Sequence, residues 1–275
     1  SPSTVKPPSG GKVWQVLMLK GIWSRVLFIL SRLAWAFCSI VLAPDELVAW
    51  QARRIATVMR LKLHMETGRT IPAIIIGTGW VDSIKLDEEY ILPYHDFWFL
   101  RGLREHQGHR KCFRYGKLNG RPVLLLGRIH KNEERSSPHA MLMWHAILEA
   151  VYLVGIRTYV ATSAIGGLAG RVKCGDMLVI KEAFPYGSVD AGLFTGTHCC
   201  PSTVLTPSLR TMALECLDAI GMRGVEGSCG FFHGPEFESD TIKKLFASLG
   251  ASGVGMSGDI DVTHCASMTL KEKHL

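Results

Sequence analysis

The sequence predicts an α/β fold. Apolar runs of four to eight residues, each bounded by glycine or polar turns, alternate with longer segments of helical period, and several runs end directly in a loop holding Gly, Ser, Thr, Arg or His. With 275 residues, 47% hydrophobic and 20% charged, the chain can bury a full core in one large domain or two small ones, which argues against disorder over most of its length.

In chain order, the first ten residues, SPSTVKPPSG, read as disordered. Val26 to Pro44 is the one candidate for membrane contact, with Lys12, Lys20 and Arg25 before it and Arg32 inside it. A spanning helix needs about 20 mostly apolar residues, and a central arginine costs roughly 2.5–3.5 kcal/mol. Membrane contact through residues 11–44 is therefore not the favoured reading; a signal anchor, an amphipathic surface helix and a non-native leader stay open. A helix is expected from Asp45, where Pro44 and the pair Asp45 and Glu46 suit an N-terminus, with Leu47, Trp50, Ile55, Val58 and Leu61 near helical spacing and an end near Gly68. Strands are expected at Ala73–Ile76, Cys112–Lys117, Val123–Leu126, Tyr159–Ser163, Met177–Ile180 and Gly227–Phe232. Helices are expected at His139–Val154, Ser208–Ile220 and Asp240–Leu249, the last capped by Ser239.

The formal charge of +7 is concentrated: residues 1–70 hold 10 Lys and Arg against 3 Asp and Glu, and the remainder holds 21 of each sign. A nucleic-acid surface would need clustered cations beside stacking aromatics in the folded part, and there is no such cluster. Eight cysteines, at 38, 112, 174, 199, 200, 216, 229 and 265, show no metal-ligand spacing and read as reduced, mostly buried thiols of a cytoplasmic protein.

Ligand sites in α/β sheets lie at the carboxyl ends of strands, so the chemistry is expected in five loops. Gly77-Thr78-Gly79 offers backbone N–H groups and a hydroxyl to an anion, though an ordinary turn has the same composition. Gly127-Arg128-Ile129-His130 places a bidentate guanidinium two residues from a second donor, and its bland reading is a surface arginine beside a structural histidine. Thr162 to Leu168, TSAIGGL, allows the Ala164 N–H to face a ligand. The segment from His233 to Glu238 has an aromatic face and a carboxylate, and Gly253 to Ser257 has a thioether beside a hydroxyl.

In this order, the strings GTG, QGHRK, YGKLNGRPV, GRIH followed by Glu133, TSAIGGL, VKCGDMLVIKE, GPEFES and LGASGVGMS resemble the trimeric class of purine nucleoside phosphorylases over roughly residues 45 to 270. The resemblance implies a single α/β domain over residues 45–275, with a central mixed β-sheet flanked by helices, preceded by an unmatched extension over residues 1–44. It implies phosphorolysis of inosine-like and guanosine-like nucleosides to free base and ribose 1-phosphate in purine salvage, in a cytoplasmic homotrimer. Phosphate is the co-substrate, and no metal, cofactor or covalent nucleophile is expected. By similarity, Thr78, His109, Arg128, His130, the Ala164 backbone and Ser257 hold phosphate. Met256 underlies the ribose, Phe237 packs on the purine, and Phe194 is the aromatic lent by a neighbouring subunit. Glu238 accepts hydrogen bonds from the base, and Glu238 and His130 are the expected catalytic pair.

The sequence departs from that family in four places. The string Thr-Val-Pro-Glu expected after the GMS loop is Gly258-Asp259-Ile260-Asp261; Asn132 replaces a tyrosine; the segment Ala183 to Ser202 is short; and an expected base-reading asparagine and ribose-contacting histidine have no counterpart before Leu275. Two alternatives follow. One is an impaired, truncated phosphorylase acting as a phosphate- or nucleoside-binding or assembly protein; the other, ranked lower, is a methylthioadenosine phosphorylase.

Overall fold

The computed structural model describes residues 29, 44–65, 71–80, 83–100, 110–129, 140–168, 170–186, 200–232 and 236–273. Apart from Ile29 and Pro44, the apolar stretch 26–44 lies outside them, as do residues 1–10. No helix among the described residues is long and apolar enough to cross a membrane.

The first helix, α1 (Pro44–Lys62), begins at a proline and carries Asp45 and Glu46 in its first turn, where the dipole favours acids. Its inward face is Leu47, Val48, Ala52, Ile55, Ala56 and Met59, recurring at three- and four-residue spacing. That face is turned from the expected one: Leu61 is 70% exposed, and Trp50 and Val58 are half-buried at its border. The helix also stops earlier than expected, at Lys62, with His64 in the left-handed region at φ 49°.

Strands β1 (Pro72–Ile76), β2 (Asp87–Pro93), β3 (Cys112–Leu118), β4 (Arg121–Gly127) and β5 (Thr158–Ala161) form a mixed sheet in the order β2-β3-β4-β1-β5. The β3–β4 hairpin turns on Asn119 and Gly120, both at positive φ, as a two-residue hairpin of right-handed strands requires. Strands β4, β1 and β5 run parallel, so their carboxyl ends share one edge. Alternation sorts their side chains: Ala73, Ile75, Leu124 and Leu126 face the main core, while Ile74, Ile76, Val123 and Leu125 face a smaller cluster on the other side. The main core is closed by α1 and by α2 (Ala140–Leu153), an almost wholly apolar helix.

Strand β6 (Gly166–Gly167), β7 (Met177–Tyr186), β8 (Gly224–Phe232) and β9 (Ala251–Gly255) form a second mixed sheet in the order β6-β9-β8-β7. Residues 162–165 lead directly from β5 into β6, so the expected glycine-rich loop is the joint between the two sheets. Helix α3 (Pro207–Ala219) lies against β7 and β8. Helix α4 (Asp240–Ser248) starts at Ser239, whose side chain accepts from the Ile242 N–H at 3.4 Å as the sequence predicts, and buries Phe246. Helix α5 (Gly258–Lys273) follows β9 and packs on α2.

The six expected strands and the expected helices are present, with β4, β7 and β8 longer than read. Strands β2, β6 and β9 and helix α5 were not foreseen. Strand β2 carries Asp87, Glu88 and Glu89 on an edge, where charge deters further pairing. In β9, the glycines serve close packing: a Cβ at Gly253 would meet the Ile165 side chain at 2.8 Å, and one at Gly258, just beyond, would meet the Phe231 ring at 2.8 Å.

Between α2 and α5 lies a buried pair, His145 and His264, with Nδ1 atoms 2.8 Å apart. Burial lowers the His145 pKa to about 4, so the folded ring stays neutral over a range in which the unfolded chain takes up a proton. Stability should therefore fall as pH drops from about 6.5 towards 4, by on the order of 2–3 kcal/mol. Denaturation midpoints of His145→Gln measured across that range should show a shallower acid slope than the parent. In the core, Ile75→Ala should lower unfolding free energy by about 2–4 kcal/mol in urea titrations.

Candidate functional site

The candidate site is built on the shared carboxyl edge of β1, β4 and β5. Register pairs Ile76 with Gly127 and Ile75 with Ala161, so Gly77-Thr78, Arg128 and Thr162-Ser163-Ala164 leave the sheet side by side. Thr162 ties them together. Its Oγ1 donates to the Ile75 carbonyl at 3.0 Å and accepts from the Gly77 N–H at 2.8 Å, and its carbonyl accepts from Arg128 Nη1 at 2.8 Å. The approach is so close that a Cβ at Gly77 would collide with the Thr162 carbonyl, so glycine is required by packing. The same contact changes the expectation for this loop: the Gly77 amide, read as facing an anion, is occupied by Thr162.

Arg128 is 1% exposed, in contrast to the bland reading of a surface arginine. Its Nη2 pairs with Asp261 on α5, whose other oxygen accepts from Trp144 Nε1 at 2.9 Å. Nε is buried with no acceptor among the described residues. Lys111, 4% exposed, donates to the Arg128 carbonyl at 3.0 Å, adding a second buried cation. Burial pushes the Asp261 carboxyl pKa up, and the Arg128 charge and the Trp144 hydrogen bond oppose that rise. An always-charged guanidinium beside it favours the ion pair.

The other two loops come from the second sheet. Met256 is half-buried and Ser257 buried between β9 and α5. Glu238 is half-buried beyond β8, and its charge and that of Asp259 both act on the Cys229 thiol, which burial, foremost, pushes up to about 12. Glu238 and the start of α5 therefore flank the same stretch of β8. Phe237 is 86% exposed, and Thr78 and Ala164 are exposed. His109, His130 and Phe194 lie outside the described residues.

Of the expected residues, Thr78, Arg128 and Ala164 are thus brought to one edge, and Ser257 is joined to them through α5, four residues from Asp261. Four members of the Arg128 network have no role assigned from the sequence: Lys111, Thr162, Asp261 and Trp144. Asp261 was visible only as a departure from a family string. Trp144 was hidden in an apolar helix, although a buried indole N–H needs an acceptor.

Comparison with known proteins agrees with this architecture. The model of the Phosphorylase superfamily matches residues 73–269. A purine nucleoside phosphorylase of Mus musculus is 28% identical over 163 residues, 55% of this chain and 55% of the relative. One of Mycobacterium leprae is 27% identical over 224 residues, 79% of this chain and 76% of the relative. The match thus spans about half the length of the mouse relative and three quarters of the mycobacterial one. The crystal structure of isoform 2 of purine nucleoside phosphorylase from Schistosoma mansoni, in complex with cytosine and ribose-1-phosphate, superposes with a TM-score of 0.65 at 19% identity, covering 79% of this chain and 78% of that one, and so shares its fold. By these matches, the chain belongs to the phosphorylase superfamily and is purine nucleoside phosphorylase-like.

Proposed function

We propose that the chain phosphorolyses purine ribonucleosides of the inosine and guanosine type, releasing the free base and ribose 1-phosphate in purine salvage. The observation that carries this reading is the donor-rich edge where the buried Arg128, at the end of β4, reaches past the end of β1 to the Thr162 carbonyl that follows β5. Phosphate is held there by Arg128 with Thr78, the Ala164 N–H and Ser257, joined by His109 and His130. The phosphate oxygen attacks the anomeric carbon as the bond from that carbon to the purine nitrogen breaks, and the base leaves with a proton. Fixed donors favour this reaction because they are already oriented where charge resides, so little reorganisation is needed during bond exchange. His130 acts with them on the phosphate side. Glu238 accepts hydrogen bonds from the purine and favours its protonated leaving form, Met256 underlies the ribose, and Phe237 covers the base. Phe194 from a neighbouring subunit would complete the base side, which makes a cytoplasmic homotrimer part of the proposal. No metal or further cofactor is required by this scheme.

A coupled assay of hypoxanthine release from inosine tests the reading. Turnover should require phosphate, and Arg128→Ala should lower it by about 10²–10³-fold; release that continues without phosphate contradicts phosphorolysis. Phosphate-dependent heat stabilisation without turnover would point instead to the binding or assembly role. Glu238→Gln should lower kcat/KM for inosine by about tenfold or more while leaving the phosphate KM nearly unchanged. Steady-state kinetics with each substrate varied would reveal that separation.

A further inference from the structure

Two of the three nitrogens of the Arg128 guanidinium are engaged by the chain itself, Nη1 by the Thr162 carbonyl and Nη2 by Asp261. The third, Nε, is a buried donor with no acceptor among the described residues. Asp261 is 2% exposed and is held from behind by Trp144, so its carboxylate is a fixed partner rather than a swinging surface group. The charged neighbours are Lys111, on the carbonyl of Arg128 itself, and Asp259, two residues before Asp261 in α5. A cation already matched by a fixed carboxylate attracts a second anion less than a bare one does. Removal of that carboxylate leaves a buried charge that an incoming anion can compensate.

We propose that Asp261 is an internal anion for Arg128, a positioning residue that holds the guanidinium in place and competes with phosphate for it, thereby setting the phosphate affinity of the site. The inference rests on the reading of Arg128 as a phosphate ligand. Phosphate takes the unfilled Nε position and shares Nη2, while Trp144 retains the carboxylate of Asp261. No covalent bond changes, and the site releases phosphate when Asp261 regains its full share of the guanidinium.

The test uses the full chain and inorganic phosphate, with binding followed by calorimetry and by heat stabilisation. Asp261→Asn should bind phosphate about tenfold more tightly than the parent and gain more heat stability from it. Asp261→Glu, which keeps the charge, should return the constant towards the parent value, and Arg128→Ala should abolish binding. If Arg128→Ala abolishes binding but Asp261→Asn binds no more tightly than the parent, the competition is overturned and the phosphate reading survives. If Arg128→Ala binds as the parent does, the ligand reading fails and the inference fails with it. Should Asp261→Asn not fold, the parent still decides. Its Trp144 indole N–H resonance, assigned by its loss in Trp144→Phe, should move with phosphate at the half-saturation seen by heat stabilisation, and a stationary resonance overturns the proposal.

Discussion

A guanidinium shut away from water must have a counter-charge, and meeting that requirement at Arg128 organises the candidate site. The residue follows β4, in the middle of the first sheet, and its partner Asp261 lies in the helix that follows the second sheet. The pair therefore sets α5 against the carboxyl edge of β1, β4 and β5, and Trp144 carries the connection into α2. Thr162 completes it from the joint between the sheets, with its side chain on the end of β1 and its carbonyl on Arg128. Loss of either charged partner would leave the other buried alone, at a cost of about 3–5 kcal/mol, yet an apolar replacement for the whole pair is often no less stable. Net stability is thus a poor reason for a buried ion pair at this position. A donor edge whose charge is balanced before any ligand arrives is a better one.

The two sheets meet closely because small residues line their joint. Gly77 admits the Thr162 carbonyl, Gly253 admits Ile165, and Gly258 admits the Phe231 ring where α5 begins. Each absent side chain makes room for a neighbour's backbone or side chain. The glycines of these loops thus act on packing more than on direct ligand contact. Gly77 illustrates the difference, because its amide is already hydrogen-bonded within the protein.

Much of this was legible in the sequence. Apolar runs such as Ala73–Ile76 and Val123–Leu126 are buried on both faces of a sheet, and continuous apolarity is what such strands display. The Ser239 cap and the position of Arg128 just past a strand were readable for similar local reasons. Strand β2 was missed because its acidic half is solvated on an edge, and β9 because glycine chosen for close approach resembles glycine chosen for a turn. The inward face of α1 was misjudged because Trp50 and Leu61 outweigh Ala52 and Ala56 in hydrophobicity, although the alanines are what allow α1 to pack tightly over the core. Asp261 was unreadable for another reason. Its partner is 133 residues away in the chain, and no local pattern reports a charge pair of that separation.

The two ends of the candidate site differ in how much order they already possess. Arg128, Lys111, Asp261 and Ser257 are buried and held by elements on several sides, so their orientation is fixed before any ligand binds. Phe237, by contrast, is almost fully exposed, and Glu238 is only half-covered. On the proposed reading, the anion end supplies oriented charge at little reorganisation cost, while the base end must lose side-chain freedom when a purine covers it, at roughly 0.5–1.5 kcal/mol for each immobilised side chain. Nucleoside affinity then depends on what closes over Phe237, and phosphate affinity on the balance between Arg128 and Asp261. On that reading the two substrates are recognised by physically separate means, which allows one affinity to change without the other.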